Sequence, residues 1–193
     1  MNRLVLILIC LILISCRENY TPKPRGFFKI SFPEKEFQQF INKCPFTFKF
    51  PKYSSIESLE KDCFLNLNFP DYSSTLHISY FPIDNNLIRH SEESRTLAYK
   101  HSVKANSISE QLFVDQENKV FGIVYKYNGK TATALQFYLT DSIDHFFRGA
   151  LYFNTEINDS IIPISNFLQD DIKLLIESFR WKSTEHVEQK SLR

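Results

Sequence analysis

The stretch KVFGIVYKYNGKTATALQFYLTDSIDHFFRGALYFN, residues 119–154, decides the fold class. It alternates aromatic or β-branched residues with polar ones, the period of two that half-buried strands require. Asn128-Gly129 divides the first two runs, and Asn-Gly is a strong hairpin signal because both central positions of a type I′ turn need positive φ. Residues 141–144 predict the next turn, and residues 145–154 run back. The stretch therefore predicts an antiparallel β-meander.

Three shorter strands are predicted upstream of this meander. Their apolar residues alternate with polar ones and are, in order, Phe46, Phe48 and Phe50, then Cys63, Leu65, Leu67 and Phe69, then Leu76, Ile78 and Tyr80. Pro51, Pro70 and Pro82 are expected to end these strands because proline cannot donate to a ladder of strand hydrogen bonds.

The first of two predicted helices follows these strands. Ser91 is a plausible N-cap, and Lys100, His101 and Lys104 would lie near the negative helix end.

The second helix has an apolar stripe at helical spacing. The stripe consists of Phe167 or Leu168, then Ile172, Leu175, Ile176 and Phe179. Asp170, Asp171 and Lys173 are expected to face solvent, and Trp181 to be buried near the helix end. Together the elements predict a single α+β domain over residues 27–182, with an antiparallel sheet, packed helices and a frayed tail at 183–193.

The N-terminus is predicted to be a lipoprotein export signal. After Arg3, residues 4–14 are uninterruptedly apolar and would form roughly 16 Å of helix, about half of a bilayer core. Residues 13–16 read LISC and resemble a bacterial lipobox, so residues 1–15 would be removed and Cys16 acylated. An ordinary secretory signal with a chance cysteine is the alternative. Three acyl chains on Cys16 would supply stable membrane anchoring. Residues 16–26, which include two prolines, are predicted to form an extended tether.

Two further cysteines, Cys44 and Cys63, remain in the predicted mature chain because Cys10 leaves with the signal. The oxidising compartment beyond the inner membrane favours a disulfide between them. Closing this loop would contribute roughly 3 kcal/mol. Two buried free thiols stay open as an alternative, as does a metal site, although C-x-x-C spacing is lacking.

Composition excludes several classes of protein. The chain has 23 Lys and Arg against 22 Asp and Glu, and loss of Arg3 with the signal would leave no net charge. Nucleic-acid binding normally requires a basic excess, so no nucleic-acid partner is predicted. Four scattered glycines cannot form a phosphate-binding loop. The sequence therefore predicts no nucleotide cofactor.

The cluster that most suggests catalysis is DSIDH, residues 141–145. Triad members normally converge from separate segments, whereas Asp and Ser in one turn cap it with their own side chains. A turn is therefore favoured over a recognition site, and over an envelope hydrolase using Asp141 or His145 as acid/base group. Structural histidines are likewise favoured over a zinc site built from His77, His101 and His145. No enzyme activity, cofactor or metal is predicted, and an envelope hydrolase or a lipoprotein that binds a small ligand or metal stays open as the alternative function.

Arg148 is the residue least expected in its strand. Alternation places it with Phe146, Ala150 and Tyr152, and the opposite face takes Phe147, Leu151 and Phe153. A charge among aromatic residues reaches an edge, pairs with a carboxylate or contacts a partner, and binding energy concentrates in Arg and aromatic anchors. We predict that this face or the adjacent turn is partly exposed and contacts a partner, with a buried ion pair as the alternative. The candidate contact residues are Arg148, Asp141, Asp144, His145, Phe146 and Tyr152.

Several stretches together resemble one known family. They are PKPRGFFKI (22–30), CPF (44–46), HISY (77–80), AYKH (98–101), QFYLTDS (136–142) and HFFRGALYF (145–153). In this order, over essentially the whole mature chain, they resemble the gliding motility lipoprotein GldD family of Bacteroidetes. The resemblance implies an envelope lipoprotein of the outer membrane, required for gliding and the linked type IX secretion machinery, whose envelope proteins would be its partners. It implies no catalytic residue.

A second resemblance concerns architecture alone. The helix end at Ser178-Phe179-Arg180 is similar to that of the PsbP/Mog1-like proteins, and this analogy implies a related α+β fold.

Overall fold

The computed structural model describes residues 30–100, 105–129, 131–155 and 161–182. The predicted signal at 1–15, with Cys16, the tether at 16–26 and the tail at 183–193 lie outside the described residues.

The described residues form eleven strands and two α-helices. In chain order they are β1 (Phe37–Gln39), β2 (Phe46–Thr47), β3 (Lys49–Pro51), β4 (Ser55–Ser58), β5 (Leu65–Phe69), β6 (Ser74–Pro82), α1 (Leu87–Tyr99), β7 (Ser107–Asp115), β8 (Val120–Asn128), β9 (Thr133–Thr140), β10 (His145–Phe153), α2 (Ile161–Glu177) and β11 (Arg180–Trp181). Seven strands build one antiparallel sheet in the order β4-β5-β6-β10-β9-β8-β7. Two meanders, β4 to β6 and β7 to β10, join where β6 pairs with β10. This arrangement confirms the predicted α+β class.

One side of the sheet, here called the core face, encloses the main hydrophobic core with α2 and the small strands β1 to β3. Phe147 lies at its centre, with ring centroids 4.9 Å from those of both Phe46 and Phe179. All three side chains are fully buried. The predicted inward rows of β5, β6 and β10 also lie on this face and pack into the same core. Alternation thus identified the core side correctly.

The connection from β8 to β9 is longer than the predicted two-residue turn. Gly129 takes φ +112° and Asn128 does not take positive φ, because Asn128 ends β8 in register with Ser107 and its carbonyl accepts from Asn106 N at 2.8 Å. The next strand begins only at Thr133. Pairing with β7 therefore overrides the type I′ preference.

The first helix begins earlier than predicted. Leu87 starts α1, and Ser91 lies inside it, where its hydroxyl donates to the Leu87 carbonyl at 2.8 Å. Asn86 occupies the N-cap position. The predicted N-cap at Ser91 is therefore wrong, and the predicted end at His101 and Lys104 lies outside the described residues.

The apolar stripe of α2 is buried as predicted, but Asp171 is not exposed. Its side chain has no exposed surface, accepts a hydrogen bond from the Tyr53 hydroxyl and lies 3.0 Å from Lys35 Nζ. Burial raises the pKa of Asp171, and the Tyr53 and Lys35 contacts oppose that rise. The outward position predicted for Asp171 is wrong because its partners come from segments more than a hundred residues away.

Cys44 and Cys63 form a disulfide, with Cα atoms 5.6 Å apart. It ties the segment before β2 to the loop between β4 and β5. The predicted bond is confirmed, and the alternatives of free thiols and a metal site do not apply.

Candidate interaction face

Arg148 lies on the side of the sheet opposite the core face, in the central strand β10. It is opposite Ser79 on β6 and Tyr138 on β9, and its side chain is half-buried. Arg148 Nη2 donates to Gln136 Oε1 at 3.0 Å. Within the described ranges, no carboxylate lies at salt-bridge distance from Arg148. Its contact is therefore with a neutral acceptor.

The environment of Arg148 is partly desolvated. Burial lowers the pKa of Arg148, and the nearby phenol groups of Tyr152 and Tyr127 counteract that shift. An arginine keeps its proton under such conditions because its ordinary pKa is above 12. A positive charge thus stands at reduced dielectric on this side of the sheet, where a contact with an anionic group is stronger than in bulk water.

Polar side chains continue from Arg148 across four strands. Gln136 is buried and donates through Nε2 to the Tyr152 hydroxyl at 3.4 Å. The Tyr152 ring centroid lies 5.8 Å from that of His77, and His77 Nδ1 lies 2.8 Å from Asn66 Oδ1. Because the Asn66 amide oxygen can only accept, His77 donates from Nδ1, and burial lowers the pKa of His77.

The row ends at β4, where a single carboxylate oxygen of Glu57 accepts from two amides. Asn66 Nδ2 is 3.2 Å and Asn68 Nδ2 is 3.3 Å from Glu57 Oε2. We call the connected set the polar row; its members are Glu57, Asn66, Asn68, His77, Gln136, Arg148 and Tyr152. It places a cation at one end and a carboxylate at the other, with hydrogen-bonding side chains between.

Helix α1 covers the other part of this side of the sheet. The His90 ring lies between those of Phe81 and Phe146, with centroids 5.0 and 5.2 Å away. Ala98 packs on Tyr125 and Tyr127 farther along the helix. Phe146 is only 1% exposed. It therefore supports α1 and lies outside the accessible part of the candidate surface.

The turn at residues 141–144 is held by Asp141. Its Oδ1 accepts from the backbone N–H groups of Ile143, Asp144 and His145 at 3.0, 3.0 and 2.9 Å. Ser142 takes φ 70° within the same turn. The carboxylate of Asp141 thus caps its own turn, as the sequence predicted.

His145 points toward the core face, away from Arg148. Its Nδ1 lies 2.8 Å from the Tyr80 hydroxyl, and its ring stacks on Trp181 at 5.0 Å. Trp181 is half-buried rather than fully buried. Because His77 points to the opposite side of the sheet, His77 and His145 cannot share a metal ion, and His101 lies outside the described residues.

The six predicted contact residues thus occupy three places. Arg148 and Tyr152 belong to the polar row, Phe146 lies beneath α1, and Asp141, Asp144 and His145 lie at the end of the strand. The remaining members of the row, Glu57, Asn66, Asn68, His77 and Gln136, were not predicted from the sequence as contact residues. In β5, Asn66 and Asn68 alternate with Leu65 and Leu67, which indicates that the two asparagines lie on the side opposite the core face. Which side chains they meet there depends on the register between β5, β6 and β10, and the sequence does not give that register.

Neither α1 nor α2 is long and apolar enough to cross a membrane. No group of three or more His, Cys, Asp or Glu side chains in the described ranges could hold a metal ion.

Comparison with known proteins identifies the family. The family described as "Gliding motility lipoprotein GldD" matches residues 17–181. No curated protein matches the chain. Because the match covers far more than half of its length, the chain belongs to the gliding motility lipoprotein GldD family.

Proposed function

We propose that this protein is a non-enzymatic contact component of the envelope machinery for gliding and type IX secretion. It is anchored to the outer membrane by acyl chains on Cys16 and binds another envelope protein of that machinery through the accessible part of the polar row. The observation that carries this proposal is the environment of Arg148.

Arg148 is suited to contact rather than to core stability. A buried arginine that only stabilises a fold normally pairs with a carboxylate, whereas Arg148 donates to the neutral Gln136. Gln136 also donates to Tyr152, so the guanidinium stands on a hydrogen-bonded support. An ordered arginine beside an aromatic ring is the residue type in which binding energy concentrates. The chemistry favours an acidic group on the partner.

The contacts of the acid/base candidates support a non-enzymatic role. Asp141 uses one carboxylate oxygen to accept three backbone N–H groups, and His145 contacts Tyr80 rather than Asp141. A catalytic pair would need the base within hydrogen-bond reach of its nucleophile or orienting group.

Site-specific photo-crosslinking in gliding cells tests the contact. A photoreactive residue at Ser79, directly opposite Arg148, should crosslink to one envelope protein, and Arg148→Ala in the same chain should abolish that product. The same photoreactive residue at Asp170, whose side chain is 76% exposed on α2 at the other side of the sheet, is the matched control. A product at Ser79 that persists in Arg148→Ala, or none at all, would contradict the proposal.

The anchor has its own test. Cys16→Ser should block lipid incorporation and move the protein out of the membrane fraction. Continued labelling of Cys16→Ser by fatty acid would refute this part of the proposal.

A further inference from the structure

The two edges of the seven-stranded sheet differ in length and chemistry. One edge, β4, has four residues, Ser55–Ser58, and three of them are Ser or Glu. The other edge, β7, has nine residues, Ser107–Asp115, paired with β8 without a register shift. No strand of the described residues pairs with the outer side of β7.

Apart from the carboxylates of Glu110 and Asp115, β7 lacks the devices that normally protect a sheet edge. Natural edges carry Lys, Pro or a bulge, or are very short. The sequence of β7, SISEQLFVD, has no Lys, Arg or Pro, and its ladder with β8 has no bulge. An edge of this kind presents a row of backbone donors and acceptors to another strand.

Three consecutive apolar side chains of β7, Leu112, Phe113 and Val114, are arranged symmetrically about Phe113. Leu112 is 77% and Val114 49% exposed, both on the side of the sheet opposite the core face. Phe113 points to the core face, where it is half-buried beside a cleft of 110 Å³ whose apolar lining includes Val124 and Ile176. Over residues 112–114 the apolar pattern is therefore the same when read in either direction from Phe113.

We propose that β7 pairs with β7 of a second copy of this chain, antiparallel, about a two-fold axis at Phe113. Leu112 then lies opposite Val114 of the other copy, and the two Phe113 side chains meet at the mouth of the cleft. A two-fold interface requires such a self-complementary surface. Exposed apolar area is removed from water on both sides of the joined sheet.

Charge is compatible with this register. Asp115 lies opposite Gln111 of the second copy, and Glu110 lies opposite Gln116. Like charges directly opposite one another would be destabilising, and this pairing opposes none along β7.

The orientation of the N-terminal segment also favours a second copy. A two-fold axis that relates neighbouring antiparallel strands is perpendicular to the sheet, so both copies present their core faces on the same side. The chain enters the described region on that side, since the Phe32 ring stacks on Phe167 of α2 at 4.3 Å and Lys35 Nζ lies 3.0 Å from Asp171. Residues 30–35 of both copies therefore lie on one side of the joined sheet, and both Arg148 faces lie on the other.

Cysteine crosslinking of full-length protein in its own cells tests the register. Two differently tagged copies, Leu112→Cys and Val114→Cys, should form a mixed disulfide under mild oxidation, in much higher yield than either variant with itself. Ser55→Cys on the exposed start of β4 is the control for chance collisions. Mixed disulfides no more abundant than the Ser55→Cys product, or adducts of the β7 cysteines with other proteins instead, would overturn the proposal.

Mass measurement of the purified full-length protein in detergent provides a second test. The protein should have twice the monomer mass, and Leu112→Lys should halve it at unchanged abundance. Ile88→Lys on α1 is the matched control because Ile88 is 79% exposed and lies away from β7; it should leave the doubled mass unchanged. A monomeric native protein, or a doubled mass that survives Leu112→Lys, would refute the pairing.

Discussion

Phe147 and Arg148 are neighbours on β10 but lie on opposite sides of the sheet, and their surroundings differ in kind. Phe147 is fully buried among aromatic rings of β2 and of the segment after α2. Arg148 is half-buried on a polar support that includes Gln136. Packing explains the choice of Phe147 because the core face needs apolar volume there. Packing does not require a cation at position 148, so we attribute Arg148 to contact with a partner.

The largest expected effect is on the core face. Phe147→Ala should lower the free energy of unfolding by about 3–5 kcal/mol, because it removes a buried ring and leaves a cavity. Urea unfolding of the purified full-length protein measures this. The exposed Ile143 is the control, since Ile143→Ala should change stability by less than about 0.5 kcal/mol. Similar losses for the two variants would remove the contrast between core and surface.

The disulfide offers a second test of the core face because Cys44 is buried in the main hydrophobic core. The double variant Cys44→Ser, Cys63→Ser should lose about 3 kcal/mol by the loop-entropy argument. Reducing agent should destabilise the native protein by a similar amount and leave the double variant unchanged. A native protein insensitive to reduction would contradict this expectation.

The hydrogen bond to the buried carboxylate of Asp171, within α2, should have a smaller effect on stability. Tyr53→Phe removes the donor to Asp171 and should cost about 1–3 kcal/mol, the penalty for a buried polar group that loses its partner. Tyr72→Phe, in the same aromatic cluster, is the matched control and should cost less. Equal effects of the two changes would show that the Tyr53 hydroxyl is not specifically required.

Local sequence patterns predicted the buried rows but not what depends on distant partners. The alternation in residues 145–153 identified which side faces the core, because a period of two follows from strand geometry alone. Asp171 was placed in solvent because a helical stripe carries no information about Lys35 and Tyr53. Strand β7 was not predicted at all, since most of its side chains are exposed, on both sides of the sheet, and leave no clear alternation.

The candidate site shows the same limit. The turn at residues 141–144 was predictable because Asp141 contacts only its own neighbours. Arg148 was recognised as unusual from its own strand, but its support by Gln136 depends on the register between β9 and β10. The covering of Phe146 by α1 depends on helix placement, which no local pattern encodes.

His90 on α1 should make the free energy of unfolding depend modestly on pH. Burial lowers the pKa of His90, so below pH 6.5 the unfolded chain takes up a proton that the folded protein does not. Stability should therefore fall as the pH drops through this range. His90→Gln should make the slope shallower in urea unfolding at stepped pH, although His77 contributes in the same direction. An unchanged slope would show that His90 does not contribute.

The most direct test of the central claim is the abundance and gliding speed of cells carrying Arg148→Ala, alongside Phe147→Ala and Arg148→Lys. Loss of the Arg148 hydrogen bond leaves the buried Gln136 acceptor without that donor and should reduce stability by about 1–3 kcal/mol, less than Phe147→Ala, so the Arg148→Ala protein should stay folded and present in the cells. We predict that these cells nevertheless fail to glide, that Arg148→Lys restores part of the speed, and that Phe147→Ala loses protein and gliding together. Gliding at native speed in Arg148→Ala, or loss of the protein from those cells, would contradict the account.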